Sequence, residues 1–390
     1  EGQRTKAVAV WSGVLTGGVS VGPIISGVLL EHFWWGSVFL VNLPVMVLLL
    51  VFGPVLLPES KGSRSARFDW QSSLLALGAI LPVIEGIKSA AADGVSLRSA
   101  AYAACGLLVG AAFVVRQLRA EVPVVDLRML AERRFGGSVL VNVLAMFAVM
   151  GNAIILTQYL QSVLGMSPLT AALWSLVPSV VVGVAAPLAA VLAPRLGRPT
   201  VMSGGFVVSV TGFLLLSRVA ISSPLVLPLV AAALIAGGLV GVLSLITDYV
   251  VGTAPAERAG SVAGLVETSS ELGGALGMAL LGSVLAAIYR ARITDLLPAG
   301  TPAAAAAEAG QTLAGATVAA GTLPGAQGEA LLIAGRSAYV EAMHGASLTA
   351  AGVLLLAAIV CAVLLREGRP TARTVAPPHQ PVDPRGVTSR

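Results

Sequence analysis

The stretch Ala259-Gly-Ser-Val-Ala-Gly-Leu-Val-Glu267-Thr-Ser-Ser-Glu271-Leu-Gly-Gly-Ala-Leu-Gly277-Met-Ala-Leu-Leu-Gly-Ser-Val-Leu-Ala-Ala-Ile288 reads as a membrane span interrupted by two carboxylates. A charged side chain at the bilayer centre costs roughly 2.5 to 3.5 kcal/mol on insertion scales, so something must offset two of them. Four-residue spacing puts Glu267 and Glu271 on one helical face, with Gly260, Gly264 and Gly274 close to it. That face is expected to border a polar cavity. A cavity with a titratable pair is what proton-coupled movement of a solute requires.

The rest of the chain extends the apolar pattern. Of its 390 residues, 56% are hydrophobic and 11% charged, against about 25% charged in an ordinary soluble domain. The fold class is therefore all-α, a polytopic bundle in a lipid bilayer. A span needs about 20 mainly apolar residues, and stretches of that kind fall at 7–30, 35–57, 71–91, 99–117, 136–157, 169–193, 200–219, 225–250, 259–287 and 342–365. About ten transmembrane helices are expected. An even count returns both ends to one side. With that side cytoplasmic, 18 of the 24 Lys and Arg residues fall inside and 6 outside, which sets the orientation by the positive-inside rule. The net charge of +5 then reflects topology and gives no reason to expect nucleic acid.

Several function classes drop out. Cys105 and Cys361 lie in apolar stretches without a CxxC or Cys/His cluster, so no disulfide framework, metal site or cofactor is indicated. His32, His344 and His379 are scattered and no catalytic constellation converges, which argues against an enzyme. No Gly-rich phosphate loop is present, so uphill transport would draw on an ion gradient.

Connections and kinks add detail. Trp34 and Trp35 lie in a tight turn at the outer interface, where amphipathic rings prefer to sit. Asp69 follows a basic link and is placed to cap the next helix. Glu85 has Lys88 three residues on, a spacing that makes a local ion pair. Residues 291–338 form an Ala, Gly and Thr-rich outer loop with room for a short amphipathic helix but too few large apolar side chains to span, and 366–390 read as a disordered cytoplasmic tail. In the fifth and sixth spans, Asn142, Met146, Phe147, Met150, Asn152, Gln158, Tyr159, Gln161 and Trp174 are candidate cavity residues, since aromatics and methionines suit flat lipophilic cations. Pro178 and Pro187 predict a bent sixth span. Asp248, Arg195 and Arg198, near the inner ends of their spans, are candidate gate residues.

The first span contains Gly18-Val-Ser-Val-Gly22-Pro23-Ile-Ile-Ser26-Gly27, in which small residues allow close helix approach and Pro23 removes a backbone hydrogen bond. This stretch resembles the antiporter motif of the major facilitator superfamily, usually GxxxGPxxGG, with Ser26 standing where the motif often has Gly. Trp35 to Pro44, Arg67-Phe-Asp-Trp70, Pro123 to Arg128 with Arg134-Phe135, Gln158 to Gly165, and Ala254 to Gly260 leading to Glu271-Leu-Gly-Gly-Ala-Leu-Gly277 are similar, in order, to the fourteen-helix drug:proton antiporters of that superfamily, including pumps for quaternary ammonium compounds and methyl viologen.

The resemblance implies a major facilitator fold and a secondary transporter that exports hydrophobic, cationic compounds in exchange for protons. Glu267 and Glu271 fall on the family's proton-coupling and cation-binding positions, and Gly18, Gly22, Pro23 and Gly27 on the antiporter motif. Residues 1–57 would then be the last two helices of the N-terminal bundle, 58–117 two inserted central helices with linkers, and 118–365 the C-terminal six-helix bundle. The first four helices would be lacking, which raises the alternative of an incomplete or inactive transporter. A third alternative is an exporter of an endogenous metabolite. The expected setting is a bacterial inner membrane with both ends of the chain cytoplasmic.

Overall fold

The computed structural model describes residues 17–18, 21–56, 69–94, 96–120, 127–253 and 259–365, with the side chains of 91–93, 248–253, 259 and 261 outside the description. Helices α1 (Val21–His32), α2 (Ser37–Leu40) and α3 (Asn42–Leu56) come first. The hairpin of α4 (Trp70–Asp93) and α5 (Leu97–Arg119) follows, then the short α6 (Leu127–Ala131). Next come α7 (Arg133–Gln158), α8 (Pro168–Trp174), α9 (Leu176–Leu196), α10 (Arg198–Leu216), α11 (Val226–Thr253), α12 (Ala259–Leu296), α13 (Ala303–Ala309), α14 (Leu313–Thr322) and α15 (Gly325–Leu364). Among the described residues there is no strand, and nine helical stretches are long and apolar enough to cross a membrane. Of the stretch expected at 7–30, the described helix covers Val21 onward, and Gly18 lies just before it.

The core is built by α7, α10, α11, α12 and α15, where Phe206, Phe213, Tyr159 and Tyr339 are fully buried. Lipid tails are as apolar as leucine, so helix association in a membrane draws on close backbone approach and interhelical hydrogen bonds. Both are abundant. A Cβ on Gly205 would meet the Gly238 carbonyl at 2.7 Å, and one on Gly212 the Ala231 carbonyl at 2.7 Å, so α10 and α11 touch backbone to backbone. Ser209 donates across the same seam to the Ile235 carbonyl at 3.0 Å. Tyr339 on α15 donates to the Ile155 carbonyl of α7 at 3.1 Å, and Ser203 on α10 to the Ala358 carbonyl of α15 at 3.2 Å. By contrast α3 buries nothing in this chain, and its valines and leucines form a fully exposed apolar surface.

The segment 291–338 differs from the expected loop. Helix α12 runs on to Leu296 and α15 begins at Gly325, giving helices of 38 and 40 residues. At 1.5 Å per residue each is over 50 Å long, well beyond a hydrocarbon core of about 30 Å. Their ends carry α13 and α14 between them, and Ala305, Ala309, Ala316 and Ala319 are buried there with Leu313, Leu331, Ala334 and Ala338. Tyr289 donates to the Ala309 carbonyl at 3.0 Å, and Arg292 pairs with Glu341 at 2.7 Å. Large side chains are unnecessary because alanine lets the helices close up. A Cβ on Gly335 would lie 3.0 Å from that of Ala316.

Asp69 caps α4 and does more. Its carboxylate accepts from the Ser72 amide at 3.1 Å, the Ser72 hydroxyl at 2.6 Å and the Arg116 guanidinium of α5 at 2.9 Å. Ser72, wholly buried, also accepts from Arg116 Nε at 3.0 Å and Gln117 Nε2 at 2.8 Å. The hairpin is thus clasped at its open end by four side chains. The Ser72 hydroxyl first, then Arg116, hold the Asp69 carboxyl well below its ordinary 3.8, at about 2. A folded-state pKa below the unfolded value means that the ionised carboxylate stabilises the fold above about pH 4, and that this contribution is lost as pH falls toward 2. Asp69→Asn keeps a capping side chain but not the charge, whereas Asp69→Ala removes both. Thermal unfolding of the detergent-solubilised protein at pH 7 should rank wild type above Asp69→Asn above Asp69→Ala, and the first difference should vanish on acidification toward pH 2.

Candidate functional site

The acid-bearing helix is held by α7 through two kinds of contact. Gly273 lies against the backbone of Val143, and Gly277 against that of Phe147, so that a Cβ at either would strike a carbonyl oxygen. One turn earlier Asn142, buried to 2% exposure, donates through Nδ2 to Ser269 Oγ at 2.8 Å, Ser270 Oγ at 2.9 Å and the Val266 carbonyl at 3.3 Å. Ser269 and Ser270 turn back onto the same Val266 carbonyl, at 2.7 and 3.0 Å. These contacts fix the rotation of α12. Its opposite face is presented outward: Glu267, Thr268 and Glu271 are all exposed, and a Cβ on Gly260 or Gly264 would meet nothing within 4 Å. The two acids therefore share an open face with Gly260 and Gly264, whereas Gly274, expected there too, is buried against Met150 of α7.

A cavity of about 390 Å³ lies farther along the bundle, between α1 and the helices α7, α8, α9 and α11. Pro23, Ser26 and Gly27 form its α1 wall, facing Asn152, Thr157 and Gln161 on α7 and on the π-helical turn Tyr159–Val163 that ends it. Gly27 is the point of closest approach, since a Cβ there would lie 2.8 Å from Leu169 Cα. Gly18 and Gly22 meet nothing within 4 Å. The second half of the Gly-Pro motif thus packs on α8 while the first half stands free of the described chain.

The remaining candidates are dispersed. Phe147 is buried at the Gly277 crossing, and Met150 lies against Gly274. Tyr159 is fully buried, with its hydroxyl on the Ala220 carbonyl at 3.2 Å. Met146 is half-buried, while Gln158 and Trp174 are exposed, and none of these six side chains lines the cavity. Asn152 and Gln161 do line it. Pro178 lines it too, while Pro187 lies further along α9. Arg195 and Arg198 are exposed at the same end of the bundle as Arg133 and Arg134. The Asp248 side chain lies outside the described residues. Glu85 and Lys88 form the exposed i,i+3 pair, at 3.9 Å. Thr157 and Ser175 join the cavity lining without having stood out in the sequence; both are short polar residues in apolar spans, and only their neighbours across the cavity single them out. Among the described residues no three His, Cys, Asp or Glu side chains gather as a metal site would require.

A bundle of apolar helices joined by small-residue seams, with an acidic face on one long helix and a cavity beside a Gly-Pro helix, is the architecture of a polytopic membrane protein. The family profile of the Major Facilitator Superfamily matches residues 1–278 and 138–389, and the chain belongs to that superfamily. It is 37% identical over 371 residues to the multidrug efflux pump LfrA of Mycolicibacterium smegmatis, covering 93% of this chain and 72% of the relative. It is 34% identical over 358 residues to the methyl viologen resistance protein SmvA of Salmonella typhimurium, covering 91% and 72%. The tetracenomycin C resistance and export protein of Streptomyces glaucescens is 32% identical over 392 residues, covering 98% and 72%.

The crossing of α7 and α12 yields a test of what orients the acids. Gly277→Ala inserts a methyl group into the Phe147 backbone and should destabilise the protein by about 1–3 kcal/mol, the usual range for overpacking. Gly264→Ala, on the open face, should leave the thermal unfolding midpoint unchanged or higher. Equal midpoints for the two variants would show that the crossing does not hold α12.

Proposed function

We propose that the protein exports lipophilic, cationic compounds across a bacterial inner membrane in exchange for protons, by alternating access. The observation that carries this reading is the pair Glu267 and Glu271, one turn apart and exposed on the face of α12 that α7 does not hold. An intramembrane acid is expensive to keep and marks an ion or proton pathway by default. Four-residue spacing brings the two carboxyls within reach of one cation or one shared proton. Occupation of that face by a cation and by protons is then mutually exclusive, because either one satisfies the same negative charge. Exchange follows when the face is exposed alternately to the two sides of the membrane.

The orientation follows from the distribution of positive charge. Arg133, Arg134, Arg195 and Arg198 gather at one end of the bundle, and the positive-inside rule assigns that end to the cytoplasm. Glu267 lies nearer that end than Glu271. A cation entering from the cytoplasm or the inner leaflet meets Glu267 first and Glu271 deeper in the span. The family supports a drug-like cargo, since the similar proteins are named for multidrug efflux, methyl viologen resistance and tetracenomycin C export.

The test is ethidium movement in proteoliposomes containing the full-length protein under an imposed pH gradient. Glu271→Gln should lower gradient-driven transport at least about tenfold, equivalent to ~1.4 kcal/mol of lost coupling, and Glu267→Gln should lower it less. Undiminished gradient-driven transport by Glu271→Gln would overturn the assignment.

A further inference from the structure

Helix α7 begins with a feature that its own dipole disfavours. Arg133 and Arg134 occupy its first two positions, with no acidic residue in the first turn, although cations are unfavourable at a helix N-terminus. Glu132, just before them, makes no side-chain cap, and among the described residues no ion pair joins it to either arginine. Arg133 donates through Nη2 to the Val363 carbonyl, in the last turn of α15, at 2.7 Å. That bond uses one of the five N–H groups of a guanidinium. Both arginines are exposed.

The pair stands at the head of a groove of about 600 Å³ lined by Glu132, Arg133, Arg134, Val363 and Leu364. Its floor is firm, because α7 meets α15 there and a Cβ on Gly137 would lie 3.1 Å from that of Leu364. Both helices are long and apolar enough to cross a membrane, so the end they share lies at the level of the lipid headgroups. From the groove, exposed apolar side chains run along both spans. Val363, Ile359 and Leu356 form one stripe of α15, and Leu140 lies two turns beyond Arg133 on the same face of α7.

Charge and shape together select the occupant. Two arginines and one glutamate give the groove a net charge of +1. The chain beyond Leu365 does not supply the counter-charge, since residues 366–390 add five arginines against Glu367 and Asp383. A guanidinium binds phosphate oxygens through its planar fork of donors. An electrically neutral lipid would leave the charge of the groove standing, whereas a lipid with one net negative charge cancels it and lays its acyl chain on the apolar stripe.

We propose that the groove between the start of α7 and the end of α15 is a site for one anionic phospholipid, its phosphodiester on Arg133 and Arg134 and an acyl chain along Val363, Ile359 and Leu356. The site needs only a membrane-spanning bundle and is independent of the exporter reading. Native mass spectrometry of the full-length protein, delipidated in detergent, tests it with dioleoyl phosphatidylglycerol and dioleoyl phosphatidylethanolamine. The first phosphatidylglycerol should bind at least about tenfold more tightly than phosphatidylethanolamine, as charge-assisted hydrogen bonds allow. Arg133→Gln with Arg134→Gln should abolish that preference. Val363→Glu, which keeps both arginines and adds a carboxylate to the groove, should abolish it too. Phosphatidylethanolamine binding should stay within about twofold in each variant, which shows that they are folded. Arg119→Gln with Arg195→Gln removes the same charge from this end of the bundle outside the groove, and should keep the preference within about twofold. A wild type without the preference, or an equal loss in the Arg119 and Arg195 variant, overturns the proposal. Equal competition by soluble glycerol phosphate overturns it as well, because the ligand would then be a free phosphate and not a lipid.

Discussion

The contact of α12 with α7 is the constraint on which the functional geometry depends. Gly273 and Gly277 let the two backbones meet at Val143 and Phe147, and Asn142 adds a buried amide that binds Ser269, Ser270 and the Val266 carbonyl. Neither contact tolerates rotation of α12, because the glycines offer one narrow face and the serines lie directly beside it in sequence. Helix α12 packs against α15 and α4 as well, and Glu267 and Glu271 lie on the face that these contacts leave exposed. Both acids are thereby kept out of the helix seams and held together on one exposed face.

The same physics recurs wherever the bundle is tight. In lipid, burying leucine against leucine gives little advantage over leaving it in the hydrocarbon, so seams form where backbones approach and polar groups find partners. Gly205 with Gly238, Gly212 with Ala231, and the Ser209, Ser203 and Tyr339 hydroxyls on carbonyls of neighbouring helices all follow that rule. The α13–α14 segment extends it to alanine-rich helices beyond the spans. An Ala, Gly and Thr-rich stretch is poor in transfer free energy per residue but rich in opportunities for close approach.

What could be read from sequence divides along that line. Apolar length defined the spans, and local spacing paired Glu267 with Glu271, Glu85 with Lys88, and Asp69 with its own helix. Properties set by a partner distant in the chain were not legible. Asn142 looked like a cavity residue until Ser269 and Ser270, more than 120 positions later, were found to occupy it. Tyr159 and Phe147 have the chemistry of a cation pocket, yet helix packing turned both into the core, because a side chain's type states what it can bind and not which way its helix faces. The converse held at the cavity. Thr157 and Ser175 are ordinary short polar residues in apolar spans, and only the gap between α1 and α8 brings them together. The Gly-Pro motif was visible, but nothing local showed that Gly27 alone would meet α8 while Gly18 and Gly22 would not.

Helix α7 ties these features into one mechanical unit. It carries Asn142 at one level and Asn152 at another, and it ends in the π-helical turn that contributes Gln161 to the cavity. Tyr159 and Tyr339 pin its far end through hydrogen bonds to Ala220 and from α15 to Ile155. Between those points Gly273 and Gly277 meet the α7 backbone directly, while Gly274 meets the Met150 side chain and Gly151 that of Leu281; the backbone contacts are the rigid part of this seam, and close-packed interiors transmit strain rather than dissipate it. The backbone contacts at Val143 and Phe147 keep Asn142 and the serines it binds in one register, and that register sets the facing of Glu271.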